Sequence, residues 1–379
     1  MTDVKRGACW GALAAVGVVC SAVAAFAGDI SLSGSAYVDW WVLSDKTARA
    51  SALGGATPEI ALKLEADVHE NLSFSAKACF GCHGLEVDRA YLEYTPKSWL
   101  NVQAGRVVVP FGDFSVRYDP ANHRTASKPL PFEMGRMPYF QRSAYNLGVV
   151  PTPYVDTGVV VYGQTWPTQT VQLWYAGYAI GGLRGENDID YSSMHTPFYV
   201  DNNRAPSGGA RVVLTWSSDN AAAVLRDVSL GLSGMHGRYN RALNRAYTTV
   251  GADLSTRIGS ATVRGEAAAS RVDIDPSAPG YRFQVIDPFV DKSGFYLEVE
   301  HPLGERLFVV YRFDGLRRAG VPLPGSDPAL SPDSGVLRYT QGVQVTITDA
   351  FFAKLTYEHW WLTDFPDFDS GHLGVGGTF

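Results

Sequence analysis

Past residue 27 the chain is nearly without cysteine. Four cysteines occur in 379 residues, and only Cys79 and Cys82 lie beyond that point. A disulfide-built scaffold is thereby excluded. Charge is also scarce, at 18% Asp, Glu, Lys and Arg, and it carries no basic excess: the formal net charge is −6. Nothing in that balance suggests nucleic acid as a partner. After the first few dozen residues there is no apolar run long enough to cross a bilayer as a helix. Nor is there a Ser-His-Asp arrangement, a metal triad or a Gly-rich phosphate loop, so the sequence gives little reason to expect an enzyme.

What is present is aromatic and glycine content, 12% Phe, Trp and Tyr with 39 glycines, and a mean hydropathy of −0.06. A value near zero fits a membrane barrel, because strands that alternate apolar and polar residues average out. The N-terminus reads as an export signal. Lys5 and Arg6 precede an apolar stretch from Ala8 to Val23, and Ala25-Phe26-Ala27 has the small-x-small form of a cleavage site. The expected division is a signal peptide over 1–27 and one barrel domain over 28–379; the alternative is an N-terminal membrane anchor.

Alternation is clearest in EIALKLEADVH, 59–69, where Ile60, Leu62, Leu64, Ala66 and Val68 interleave with Glu59, Lys63, Glu65, Asp67 and His69. Residues 29–43 do the same, and weaker versions occur at 73–78, 88–94, 170–178, 228–237, 295–301, 337–347 and 352–360. One face is too polar for a sandwich interior. Short turns at 70–72, 96–99, 258–260, 303–306 and 348–350 alternate with longer polar connections at 44–58, 112–156, 181–206, 273–291 and 319–334. The chain ends HLGVGGTF, with Leu373, Val375, Gly377 and Phe379 on one face. In lipid every backbone donor and acceptor must be paired, so such strands have to close. The fold expected is an all-β, transmembrane antiparallel β-barrel of about sixteen strands in the bacterial outer membrane, in contact with its lipid.

The run LEYTPKSWLNVQAGRVVVPFG, 92–112, with TGVVVYG, 157–163, resembles the phosphate-selective porin O/P-type family. The likeness is specific over residues 86–163 and architectural elsewhere. It implies an outer-membrane channel for small solutes, often a homotrimer, whose long third loop folds inward and narrows the pore. That family's phosphate-binding lysine ladder has no match in this chain, so phosphate selectivity is not implied. The third loop would be 112–156. It carries Arg117, His123, Arg124, Lys128, Arg136 and Arg142 against Asp113, Asp119, Glu133 and Asp156, and Pro120, Pro129, Pro131 and Pro138 stiffen it. Arg117, Arg124, Lys128, Arg136 and Arg142 are therefore expected at the pore constriction, where Arg and Lys favour anions. The alternative is a solvated loop whose charges do nothing.

Residues 77–84, KACFGCHG, depart from the family's pattern. Cys79, Cys82 and His83 form C-x-x-C-H, the attachment motif of a c-type haem. The expectation is one covalent haem c at the lumen mouth with His83 as proximal iron ligand. Met134, Met137 and His123 are candidate distal ligands, followed by Met194 and His195. A disulfide or free thiols at Cys79 and Cys82 is the competing explanation. A haem about 10 Å across cannot bridge a hydrocarbon band about 25 Å tall, so electron transfer would need periplasmic or extracellular cytochromes as partners. The sequence thus leaves two readings, a haem-carrying electron-transfer porin and a plain diffusion porin for small anionic solutes.

Overall fold

The computed structural model describes residues 29–44, 55–81, 84–132, 146–151, 154–191, 201–218, 224–275, 287–320 and 333–379. Sixteen strands form a single sheet. They are β1 Ile30–Leu43, β2 Ala56–His69, β3 Leu72–Gly81, β4 Gly84–Lys97, β5 Leu100–Val108, β6 Val155–Thr165, β7 Val171–Ile180 and β8 Ser207–Trp216. The second half comprises β9 Leu225–Arg238, β10 Ala246–Ile258, β11 Ala261–Asp273, β12 Phe289–Pro302, β13 Leu307–Ala319, β14 Asp333–Thr346, β15 Phe351–Leu362 and β16 Phe368–Thr378. Each pairs antiparallel with its neighbours in sequence, and β1 pairs with β16 to close the barrel.

Closure is completed by the last residue. Gly34 and Phe379 exchange both backbone hydrogen bonds at 3.1 Å, and the Phe379 ring lies where a Cβ on Gly34 would sit. Only glycine lets the terminal aromatic come this close to β1.

The two faces of the wall separate by parity. Leu32, Val42, Leu232 and Leu355 face outward with more than half of their surface exposed, the reverse of a soluble protein. Inward positions are polar and buried: Lys77, Glu266, Glu298, Arg312, Asp314, Arg338, Lys354, Glu358 and His372. Trp99, Trp166, Trp216 and Phe351 gather near the tight turns, as an interfacial aromatic girdle does. This is a transmembrane barrel of the outer-membrane class, with tight turns on the periplasmic side and the other connections outside.

The connections are less regular than alternation of short and long. The gaps at 44–55, 109–154, 181–206, 274–288 and 320–332 agree with the expected long ones. The outer connections at 82–83, 239–245 and 363–367 are short. Gly81 pairs directly with Gly84, which leaves two residues for the β3–β4 turn.

Candidate functional site: a loop crossing the lumen

The segment after β5 enters the barrel at once. Val109 and Phe111 are fully buried. Gly112, at φ 70°, turns the chain so that its N–H donates to Ser233 Oγ on β9 at 3.1 Å. The next two N–H groups, of Asp113 and Phe114, donate to Glu266 Oε2 on β11 at 3.2 and 3.1 Å. A carboxylate at the start of the single helical turn Phe114–Val116 satisfies donors that have no partner within the turn. A Cβ at Gly112 would fall on Glu266 Oε1, so both the positive φ and the close approach require glycine.

Past this anchor the loop builds its own aromatic core. Phe114 stacks on Phe132 at 5.0 Å, and both meet Tyr296 of β12 edge-on at 6.2 Å. Arg117 donates to Asp113 at 2.9 Å and to the Tyr296 hydroxyl at 3.2 Å. Burial works against its charge, yet Tyr296 and Asp113 hold the guanidinium above its ordinary range. Tyr118 reaches the opposite wall. Its hydroxyl accepts from Lys77 of β3 at 3.0 Å and donates to Asp88 of β4, and Lys77 also pairs with Asp119. Burial, then Asp88 and Asp119, push the Tyr118 phenol well above its ordinary pKa, so it stays a donor.

From there the chain runs along β15, β14 and β13. The Lys354 ammonium donates to the carbonyls of Pro120, His123 and Thr125 at 2.5, 2.6 and 3.2 Å. An ammonium has three donors, and the loop supplies three acceptors. Ala126 N donates to Thr356 Oγ1 at 2.9 Å, Ser127 Oγ to Glu358, and Leu130 N to Asp314 Oδ2 at 3.0 Å. Behind them lies a continuous charged ladder. Arg312 bridges Glu298 and Asp314, Arg338 bridges Asp314 and Glu358, and His372 bridges Glu358 and Asp39. Arg312 also donates to Thr125 Oγ1 and Ser127 Oγ at 2.8 Å, and Arg338 to the Lys128 carbonyl at 2.5 Å.

A second segment packs beside the first. Leu183, Ile189 and Tyr191, in the connection after β7, are buried. Asp188 accepts from Lys292 of β12 at 2.7 Å, and Asp156 accepts the N–H of Gly182 at 2.6 Å.

The sequence-predicted residues fare differently. Arg117 is tied into the loop rather than left for a solute. Arg124 lies over the Phe308 ring at 4.1 Å and Lys128 lies 5.7 Å from the Tyr118 ring; both are half-buried. Among the described residues neither has a carboxylate within ion-pair distance. Arg136 and Arg142 lie outside the described residues, as do Met134, Met137, Met194 and His195. His123 is 2% exposed, its ring is 6.0 Å from Phe114, and neither ring nitrogen has a hydrogen-bond partner. Burial, and then Lys354 and Lys128, depress its pKa well below the usual value, so the ring is neutral. Among the described residues no contact joins it to the β3–β4 hairpin.

The haem motif is only partly described, since Cys82 and His83 lie outside the described residues. Cys79 has the inward parity expected for it, but its cross-strand neighbours are Ala61 and Glu86. Two residues below it, on the same parity, sits the Lys77–Asp88–Asp119 cluster. A macrocycle needs an apolar cradle, and the described side chains near Cys79 include the charged Lys77, Glu86 and Asp88 as well as Ala61. No group of three or more His, Cys, Asp or Glu side chains is arranged to hold a metal ion among the described residues. Protein expressed with the machinery that attaches c-type haem is expected to show no Soret band. Haem stain that survives denaturation, and vanishes with Cys79→Ala, would instead add a redox centre.

The residues that hold the loop, Glu266, Glu298, Arg312, Asp314, Arg338, Lys354, Glu358 and His372, do not stand out as a set in the sequence. A signal was available: charges of both signs recur on the inward parity of β11 to β16. A wall that merely lines water needs no such pairing.

No protein-family model matches the chain, and no curated protein matches it in sequence. Solved structures do. The chain resembles a loop L8 deletion mutant of OmpT, an outer membrane protein of Vibrio cholerae, at TM-score 0.57 and 11% identity over 93% of this chain and 100% of that one. It resembles an anion-selective porin from Comamonas acidovorans at TM-score 0.56 and 11% identity, over 93% and 99%. The outer membrane channel DcaP of Acinetobacter baumannii matches at TM-score 0.52 and 13% identity, over 93% and 97%. The chain therefore has the fold of the outer-membrane porins, and it belongs in the bacterial outer membrane.

Proposed function

We propose that the protein is a passive diffusion channel for small anionic solutes, with its passage shaped by residues 109–132. One observation carries the anion preference. Both acidic residues of the described loop are paired, Asp113 with Arg117 and Asp119 with a Lys77 that also serves Asp88, whereas Arg124 and Lys128 lack carboxylate partners among the described residues. Uncompensated positive charge beside a water path lowers the electrostatic barrier to anions and raises it for cations. The loop's many attachments to opposite walls further imply a narrow path. The Comamonas porin that shares this fold is anion-selective, which agrees with this reading. A trimer and the phosphate-porin resemblance over 92–112 are compatible with it, but neither defines the solute.

The test is solute flux into vesicles carrying the purified protein. An organic anion is expected to enter faster than a neutral or cationic solute of the same size. Faster entry of the cation would overturn the proposal.

A further inference from the structure

On the outward face of β11, β12 and β13, at their outer ends, lies a groove of about 620 Å³. Its walls are Arg271 and Arg317, and its floor is made by the small residues Ala269, Ser293 and Ala319. The registers fix its height. Ala269 pairs with Ser293, which pairs with Arg317; the next outward row inward along the strands is Ala267, Phe295, Gly315 and Leu337. That row begins the apolar band, with Phe295, Leu297, Phe313 and Leu337 exposed. The groove therefore opens where the hydrocarbon stops, at the level of lipid headgroups.

The arginines are held in place but not saturated. Arg271 donates two N–H bonds to Asp291, at 2.7 and 2.8 Å, and its guanidinium rests 4.1 Å over Phe289. Arg317 donates to Asp333 at 2.8 Å. A guanidinium has five donors, so most remain available on both sides of the groove. The two pairs are solvent-exposed, at 58% and 62% for the arginines, and such pairs add little to folding. Guanidinium donors in a fixed fork match phosphate oxygens in geometry and charge.

We propose that this groove binds the phosphate of an outer-leaflet lipid headgroup, whose acyl chains run down over Phe295, Phe313 and Leu337. The phosphate is bridged by Arg271 and Arg317, Asp291 and Asp333 orient them, and the small floor residues make room for the headgroup.

The experiment uses the full barrel in detergent, with a diphosphorylated glucosamine lipid and the same lipid stripped of phosphate, followed by native mass spectrometry. Wild type is expected to retain the phosphorylated lipid preferentially, and excess inorganic phosphate should not displace it, because the chains also hold. R271Q with R317Q should weaken binding about thirtyfold, given roughly fivefold per arginine near the membrane surface. Ser293→Trp keeps both arginines but fills the floor, and it should lose the lipid as well. Circular dichroism and unboiled-gel mobility check that each variant is folded. Equal retention of the two lipids, or variants that bind like wild type, would overturn the proposal. So would a lipid-independent drop in particle mass for the R271Q/R317Q variant, since the groove would then seat a second copy of the chain.

Discussion

Asp314→Ala is expected to destabilise the barrel by about 3–5 kcal/mol, the cost of stripping the shared carboxylate from buried cations. Asp314 is fully buried and accepts from Arg312 at 3.0 Å, from Arg338 at 3.0 and 2.7 Å, and from Leu130 N at 3.0 Å. Without it two guanidiniums lose their common counter-charge inside the wall, and the loop loses an acceptor. Asp291→Ala is the matched control. It removes a carboxylate from an ion pair of similar geometry, but that pair is exposed, so stability should hardly change. Urea midpoints for unfolding from lipid vesicles separate the two. Equal midpoints would mean that water reaches Arg312 and Arg338 freely, and the description of a sealed ladder would fail.

The second large effect is on conduction. Replacing 115–130 with a short glycine linker should raise single-channel conductance severalfold, because this segment contacts β3, β12, β13, β14 and β15 across the lumen. Lys354→Met is the subtler version. It leaves the chain intact but removes the donor shared by the Pro120, His123 and Thr125 carbonyls. Three carbonyls then need water, which favours the released loop over the docked one. The expected result is a noisier channel with openings between the wild-type and deletion levels. Unchanged conductance in both variants would show that solutes pass elsewhere.

Much of this architecture was legible because alternation reports directly on a two-faced wall. β2 and β15 show it plainly. β11 does not: its outward positions include Gly265, Ala267 and Ala269 and its inward ones include Ala268, so neither face stands out in hydropathy. β5 and β8 are blurred in the same way by Gly105, Gly208 and Gly209. The basic, proline-rich third loop was also visible, and its described part bonds to side chains of β3, β12, β13, β14 and β15. Which of its cations have a carboxylate partner among the described residues was not, because that depends on long-range partners. Asp119 meets Lys77, and Arg117 meets Tyr296, through closure of the barrel rather than through local sequence. The C-x-x-C-H motif is a different case, because only Cys79 of it lies within the described residues. Spacing gives the reach of two thiols and an imidazole, but not what faces them. Glu86 opposite Cys79 and the Lys77–Asp88 pair below are consequences of register, with a bulge between Lys77 and Ala78.

The most direct test of the central claim is the reversal potential in a planar bilayer under a potassium chloride gradient, for wild type and for Arg124→Gln with Lys128→Gln. Wild type should reverse on the chloride side of zero, and the double variant should move toward zero or past it. A wild-type potential on the potassium side, or the same potential in both proteins, would contradict the assignment of selectivity to these two loop cations.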